Sequence, residues 1–190
     1  MLRVYFHFRS PYSRLGLHKI ARKKIAERTT LSLHVFTGPA DGAAFLNPTE
    51  SKPKLRYIFE DAPRMTMRMG LQIMPPMTLD PDYRPSIAAF YAAREQGAAL
   101  AFALAVSDAR WGKGADISDH DVLSECAKEA GINLSRIGER SVAEDEALDR
   151  ASVERDGVFG VPFATLEDNS SSTHHLWGQD RFDLLDELAS

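Results

Sequence analysis

The sequence has a single cysteine, Cys126, in 190 residues. One thiol excludes an internal disulfide and a CxxC redox pair, and it is typical of proteins kept in a reducing compartment. Long apolar runs are also missing. The N-terminal stretch MLRVYFHFRS is shorter than the core of a signal peptide and is interrupted by His7 and Arg9, and no later run approaches a membrane span. We therefore expect a cytoplasmic protein that does not enter a membrane.

A strong charge of either sign is absent as well. The 23 basic and 27 acidic residues leave a net charge of -4, which gives no support to nucleic-acid binding or to a role at a membrane surface. The hydrophobic fraction of 44% and the charged fraction of 26% are ordinary for a globular protein. The length suits one domain, or one domain with an insertion, around a buried core. Composition alone indicates no function.

The first 36 residues have the pattern of a strand, a helix and a second strand. Residues 2–8 are rich in Val, Tyr and Phe, and residues 31–36 alternate apolar with polar. Between them, Ser10 is a suitable N-cap because Pro11, in the first helical position, has no amide hydrogen to lose. The pattern predicts a βαβ unit with parallel strands.

The rest of the chain is helical in the middle and mixed at the end. From about Leu55 to Ala151 the pattern predicts helices, with a break at Gly97, an N-cap at Ser118 and a stop at Gly131. Another helix ends at Gly157. The segments GVPFATLED and THHLWG then predict two strands, and QDRFDLLDELA predicts a closing amphipathic helix. This order predicts an α/β protein with a thioredoxin-like fold and an inserted α-helical domain, divided into 1–38 plus 155–190 and 39–154.

Several motifs together resemble one family. SPYS, at residues 10–13, stands where thioredoxin-like oxidoreductases carry CxxC, and GVFGVPFATL resembles the Val-cis-Pro segment that faces it. With NPTESKPKLRY, RWGKGADISD and WGQDRFDLL, these motifs resemble the 2-hydroxychromene-2-carboxylate isomerases and the kappa-class glutathione transferases. The matches occur in order from the first strand to the last helix, so the resemblance covers essentially the whole chain.

The resemblance implies glutathione as cofactor and Ser10 as the catalytic residue. In this family the first serine of SxxS donates a hydrogen bond to the sulfur of bound glutathione. A free thiol has a pKa near ~8.5, so stabilising the thiolate raises its reactive fraction at neutral pH. The helix N-terminus behind Ser10 also favours an anion. The alternative is that Ser10 only caps the helix. Ser13 either supports the site or bonds to solvent or backbone.

Further glutathione-binding residues are implied by the same motifs. A cis bond between Val161 and Pro162 would offer the Val161 amide and carbonyl to the peptide-like backbone of glutathione; the alternative is a trans proline at an edge strand. Asp180, with Gln179 beside it, is implied to bind the γ-glutamyl ammonium, although it also suits an N-cap. The resemblance adds two more residues, Asn47 and Lys54, with Lys52 or Arg56 as alternatives to the lysine.

Other positions bear on the substrate. Tyr12 and Trp111 are candidates for the wall of an electrophile pocket, or else they only pack in the core. His7 stands where many relatives have an acidic residue and Arg9 is a large cation next to Ser10, so the pocket either prefers an acidic substrate or is simply different. The adjacent His174 and His175 point to opposite faces of a strand, so we predict no metal site.

The function implied by the resemblance is a glutathione-dependent isomerase of the 2-hydroxychromene-2-carboxylate type, in aromatic compound catabolism. Its small-molecule partner is an electrophile or aromatic catabolite, and a homodimer is compatible with the resemblance. One alternative is a kappa-like glutathione transferase, which consumes glutathione. Another is a thioredoxin-like binding module without chemistry. Disulfide exchange is set aside, because SxxS cannot cycle between thiol and disulfide.

Overall fold

A four-stranded mixed sheet lies at the centre of the protein, in the computed structural model that describes residues 1–39, 51–134, 142–168 and 170–188. Its strands are β1 (Leu2–Phe6), β2 (Leu31–Val35), β3 (Phe163–Glu167) and β4 (Thr173–Trp177). Their spatial order is β2-β1-β3-β4. Strands β1 and β2 are parallel, as the βαβ pattern predicts, and β3 is antiparallel to both β1 and β4.

Helices connect and cover this sheet. They are α1 (Pro11–Arg22), α2 (Ile25–Arg28), α3 (Lys52–Arg68), α4 (Arg84–Glu95), α5 (Ala99–Gly112), α6 (His120–Ala130), α7 (Val142–Arg155) and α8 (Leu185–Leu188). A 3-10 helix, Arg181–Leu184, immediately precedes α8. The five helices α3 to α7 fall in the part of the chain between β2 and β3, where the sequence predicts the helical insertion.

Several predicted helix boundaries are confirmed and have local causes. Ser10 is the N-cap of α1, with an extended backbone and Pro11 in the first helical position. Gly97 separates α4 from α5, Gly131 ends α6, and Gly157 follows α7; all three have positive φ, which glycine adopts at low cost.

Other predicted boundaries are wrong. Strand β1 ends at residue 6 and not at residue 8, because the chain turns there toward α1. The N-cap of α6 is Asp119, whose side chain accepts from the Asp121 amide, while the Ser118 hydroxyl donates to Asp116 at 2.6 Å. The closing amphipathic helix is a 3-10 helix followed by one short α-helix.

Helix α5 lies at the centre of the helical part and packs against α1, α4 and α6. Its apolar side chains join those of the sheet in one continuous core, including Phe6 of β1, Phe90 of α4 and Phe102 of α5. The predicted division into a thioredoxin-like domain, 1–38 plus 155–190, and a helical insertion domain, 39–154, stays a prediction. Among the described residues, no helix combines the length and the apolar character needed to cross a membrane.

Helix α1 approaches the closing segment closely at Gly16. A Cβ atom at Gly16 would lie 2.9 Å from Phe182 Cε2 and 3.4 Å from Pro162 Cβ. Phe182 is fully buried, so its ring has little room to move. The absence of a side chain at Gly16 therefore sets how closely α1 approaches the Pro162 segment.

We expect Gly16→Ala to lower the free energy of unfolding by about 1–3 kcal/mol, because the added methyl overpacks the contact with Phe182. Urea denaturation followed by circular dichroism measures the change, and Gly16→Val should cost more than Gly16→Ala. Unchanged or increased stability of Gly16→Ala would show that the helix gains more from alanine than the contact loses.

Candidate active site

Three chain segments meet at one end of the sheet. The register pairs Tyr5 of β1 with Phe163 of β3, and Phe163 with Trp177 of β4. The chain leaving β1, the chain leading into β3 and the chain leaving β4 are therefore neighbours. A hydrogen bond of 2.9 Å from the Gly178 amide to the Pro162 carbonyl joins two of them directly. The predicted residues Ser10, Val161 and Asp180 belong to these three segments.

Ser10 begins α1 at the end of the first segment. Its Oγ accepts a hydrogen bond from the Ser13 amide at 3.1 Å, and its own amide donates to the His7 carbonyl at 3.0 Å. Accepting the capping bond uses a lone pair of the hydroxyl and leaves its hydrogen available. Ser10 can therefore cap the helix and donate to a ligand at the same time, so the two interpretations of this serine are compatible.

The first turn of α1 offers a second donor. Within the described part of the chain, the Tyr12 amide has no hydrogen-bond partner. Free amides at a helix N-terminus attract anions. Ser13, in contrast, is buried, and its Oγ accepts from the His7 amide at 3.3 Å. Ser13 therefore bonds to backbone and shapes the loop in front of Ser10.

His7 is a neutral side chain beside this turn. Burial lowers the pKa of His7 to about 4, and the nearby Arg9 contributes to the shift. Its Nδ1 accepts from the Arg9 amide at 3.0 Å, and its ring packs edge-on against Tyr83. The histidine fixes the turn without adding positive charge at neutral pH.

The bond between Val161 and Pro162 is cis, as predicted. Pro162 is buried against α1 near Gly16. Val161 precedes the first residue of β3, and neither its amide nor its carbonyl has a partner anywhere in the residues described. These two groups form an unpaired peptide unit that can bond to an extended peptide ligand.

Gln179 and Asp180 follow β4 at the same end of the sheet. The Gln179 side chain is buried, and its Oε1 has no hydrogen-bond partner in the described structure. Asp180 is exposed and pairs with Arg181 at 3.2 Å, and its side chain makes no capping hydrogen bond. Asp180 therefore stands at the N-cap position of the 3-10 helix without capping it through its side chain, and its carboxylate faces solvent.

Helix α3 borders the site through Tyr12. The Tyr12 hydroxyl donates to Asp61 at 2.9 Å. Lys54 is exposed near the start of α3 and lies seven residues before Asp61, on the same helix face and about 10 Å away along the axis. Lys52 is also exposed, while Arg56 pairs with Glu60 at 3.0 Å. Asn47 lies outside the described residues.

Trp111 supports the loop in front of Ser10. Its indole N–H donates to the Phe8 carbonyl at 3.0 Å, and its ring lies half-buried under the Arg110 guanidinium at 4.9 Å. Trp111 is therefore anchored at the base of the site and keeps part of its ring accessible.

Two residues near the site, Arg110 and Tyr83, are not among the sequence predictions. Arg110 is fully buried and donates to the carbonyls of Thr78 and Leu79. Its guanidinium lies 5.3 Å from the Tyr83 ring centre. An arginine within the apolar run of α5 is the only sequence signal for this arrangement.

Groups that could support other chemistry have structural roles. Burial raises the pKa of Cys126 to about 11, so the only thiol of the chain is protonated at neutral pH. His174 pairs with Asp168 at 2.9 Å, and His175 packs against Phe163. No group of three metal-binding side chains occurs among residues 1–39, 51–134, 142–168 and 170–188.

Comparison with known proteins assigns the family. The profile of the DsbA-like thioredoxin domain matches residues 1–189. The chain belongs to the DsbA-like thioredoxin family. Within it, a similar protein is the 2-hydroxychromene-2-carboxylate isomerase of Sphingobium xenophagum, which is 30% identical over 197 residues, or 96% of this chain and 94% of the relative. The predicted family is thus confirmed.

Solved structures of DsbA-like proteins confirm the predicted fold. A 2-hydroxychromene-2-carboxylate isomerase superposes with a TM-score of 0.75, covering 98% of this chain and 92% of that chain at 22% identity. The cytosolic disulfide reductase DsbM from Pseudomonas aeruginosa, solved with GSH, has a TM-score of 0.62 and covers 99% and 95% of the two chains at 20% identity. At these identities the superpositions show the fold alone.

Proposed function

We propose that the protein is a glutathione-dependent isomerase acting on compounds of the 2-hydroxychromene-2-carboxylate type, in aromatic compound catabolism. The observation that carries the proposal is Ser10 at the N-terminus of α1, whose hydroxyl donates to no group among the described residues. The Sphingobium xenophagum relative, an isomerase similar over nearly the whole chain, supports the reaction class. DsbM, solved with GSH, supports the cofactor.

Ser10 and the Tyr12 amide suit the sulfur of glutathione. A hydroxyl donor and a free helix-terminal amide both stabilise a thiolate more than a thiol. Since His7 is neutral at neutral pH, the stabilisation of the thiolate falls to these two donors. The expected consequence is a lowered pKa for the bound thiol.

The backbone and side chains across from Ser10 suit the rest of glutathione. The unpaired amide and carbonyl of Val161 match a cysteinyl peptide unit laid alongside as a short added strand. The Oε1 of Gln179, which has no partner among the described residues, and the exposed carboxylate of Asp180 can accept from an ammonium group. Lys54, on the α3 face that carries Asp61, would meet a carboxylate, and Asn47 would assist it.

In the proposed reaction, the cofactor and the protein have different roles. When bound, glutathione would supply a nucleophilic thiolate that can add reversibly to an unsaturated carbonyl compound. Such addition would let a bond of that compound rotate or its ring reopen. Ser10 holds the negative charge on the sulfur before addition and after release. Tyr12 and the accessible part of the Trp111 ring would contact the aromatic part of the substrate.

Substrate turnover tests the proposed function. Wild-type protein should be retained on immobilised glutathione and should convert 2-hydroxychromene-2-carboxylate while the glutathione concentration stays constant. A peroxide and a chloronitrobenzene serve as transferase substrates. Net loss of glutathione with either would favour the kappa-like transferase, and retention without any turnover would favour a binding module.

Asp180→Ala should weaken glutathione binding about tenfold, because the ammonium group of the ligand loses a charge-assisted hydrogen bond. Calorimetric titration gives the affinity, and wild-type Tm should rise with glutathione concentration by mass action. The control is Asp183→Ala, which removes a nearby carboxylate that pairs with Lys19 at 2.8 Å. Equal affinities for Asp180→Ala and Asp183→Ala would remove Asp180 from the site.

A further inference from the structure

Arg9, directly before Ser10, forms an ion pair that a ligand can reach. Its guanidinium donates two hydrogen bonds to the Asp80 carboxylate, at 2.9 and 3.2 Å. The Arg9 side chain is 42% exposed and that of Asp80 is 59% exposed. The two N–H groups of a guanidinium can bind the two oxygens of any carboxylate in this way. Because both partners are in contact with solvent, the pair can exchange Asp80 for another anion at little cost.

A second arginine, Arg110, lies near this ion pair. The Arg9 guanidinium lies 5.1 Å from the Tyr83 ring centre, and the buried Arg110 guanidinium lies 5.3 Å from the same centre. Burial raises the pKa of Tyr83, and the charges of Arg110 and Arg9 oppose that shift, so both arginines act on the phenol. The Tyr83 hydroxyl is buried and has no hydrogen-bond partner in the described ranges.

The two arginines differ in how their charge is compensated. Arg110 makes its hydrogen bonds to two backbone carbonyls, its Nε is unpartnered, and it forms no ion pair within the described residues. Asp80 and Asp116 act on it only at longer range, and Asp116 is bonded to Ser118 and Thr78. Asp80 is therefore the one carboxylate bonded to Arg9 among the described residues, and Arg110 has no carboxylate in direct contact.

We propose that Arg9 is the residue that selects an anionic electrophile, by exchanging Asp80 for the carboxylate of the substrate beside Ser10. Arg110, 5.3 Å from the centre of the same Tyr83 ring, keeps a second positive charge near this place in both states. Asp80 then acts as a resident competitor that keeps the arginine paired when the site has no electrophile. The catalytic use of this site rests on the proposed function, but the binding of an aromatic carboxylate does not.

Substituting each member of the Arg9–Asp80 pair tests the proposal through the direction in which carboxylate affinity changes. If the Arg9–Asp80 contact were only structural, removing either partner would have the same effect. Under the proposal the effects are opposite: Arg9→Gln removes the receptor for the carboxylate, whereas Asp80→Asn removes its competitor. Suitable probes are chromone-2-carboxylate, a stable analogue of the chromene acid, and chromone-2-carboxamide, its neutral counterpart.

Calorimetric titration of both probes, with and without glutathione, measures these effects. We expect wild-type protein to prefer the carboxylate, Arg9→Gln to bind it about tenfold more weakly, and Asp80→Asn to bind it about three- to tenfold more tightly. Affinity for the carboxamide and for glutathione should stay unchanged in both variants. A matched control is Arg84→Gln with Asp82→Asn, which breaks an exposed arginine–aspartate pair with contacts of 2.6–3.0 Å.

Any of four results would overturn the assignment. They are no measurable carboxylate binding, equal affinity for the two probes, shifts of affinity in the same direction in the two variants, and weaker glutathione binding by Arg9→Gln. The last result would place Arg9 among the glutathione ligands. If glutathione fails to bind wild-type protein while the carboxylate preference and its two opposite shifts persist, the proposed function fails and the role of Arg9 stands.

Discussion

Ser10→Ala is expected to raise the pKa of bound glutathione and to lower turnover about ten- to a hundredfold. The removed hydroxyl would donate one charge-assisted hydrogen bond to the sulfur, which is worth about 1.5–3 kcal/mol. Glutathione affinity should fall less than turnover, because most of the ligand is held through its carboxylates, amine and backbone. The ultraviolet absorbance of the thiolate, titrated against pH in both proteins, measures the shift directly.

Ser51→Ala is the matched control for this experiment. Ser10 and Ser51 both cap a helix by accepting from the amide three residues ahead, at 3.1 Å from Ser13 and 3.5 Å from Lys54. Loss of either cap should cost about 0.5–2 kcal/mol of stability. Only Ser10→Ala should move the thiolate titration. Coincident curves for wild type and Ser10→Ala would reduce Ser10 to a helix cap.

Local chemistry explains which parts of the fold were predictable. A serine before a proline marks the start of α1, and glycines mark the ends of α6 and α7, because each of these residues acts through its own backbone or its nearest neighbours. Alternation of apolar and polar residues located β2 in the same way. Such signals need no knowledge of the rest of the chain.

Competition between neighbours explains the errors. Ser118 and Asp119 both suit an N-cap, and the choice depended on Asp116, which takes the Ser118 hydroxyl. Asp180 precedes a helical pattern, but the turn after β4 gives it a helical backbone without a capping bond. In both cases the surrounding structure, and not the local sequence, decides whether the capping bond forms.

The same distinction between local and long-range causes applies to the candidate site. The N-cap position of Ser10 and the cis Val161–Pro162 bond could be predicted because each belongs to a contiguous motif. The cluster of Arg9, Asp80 and Arg110 could not, since its members are separated by tens of residues and meet only through the packing of α5 against α1. Sequence pattern indicated a cation beside Ser10, and the tertiary structure supplies its partners.

The strands that carry the site are held by a buried carboxylate, Asp156. It accepts from Arg3 Nε at 2.6 Å and from the Tyr5 hydroxyl at 2.6 Å, and Arg155 donates to its other oxygen at 2.9 Å. The side chains of Asp156 and Arg3 are 3% and 6% exposed. Because Arg3 and Tyr5 lie on β1, this network fixes the end of α7 to the strand that leads to Ser10.

Asp156→Ala should lower the free energy of unfolding by about 3 kcal/mol near neutral pH. Removing one member of a buried ion pair costs about 3–5 kcal/mol, and the lower end applies because Glu167 still pairs with Arg3 at 2.8 Å. Urea denaturation followed by circular dichroism gives the value. The exposed aspartate variant Asp82→Asn serves as control, and its unfolding midpoint should stay close to that of wild type.

The pH dependence separates this charge effect from simple loss of packing. Burial alone would raise the pKa of Asp156, but hydrogen bonds from Arg3, Arg155 and Tyr5 outweigh it and hold that pKa well below its ordinary value. A carboxyl whose pKa is lower in the folded state stabilises the protein above its unfolded pKa of about 3.9, and the contribution disappears as the pH falls through the folded value. The stability difference between wild type and Asp156→Ala should therefore be constant near neutrality and shrink below pH ~4. A difference that stays the same at low pH would assign the loss to packing, and the ionised carboxylate would not be what holds β1 to α7.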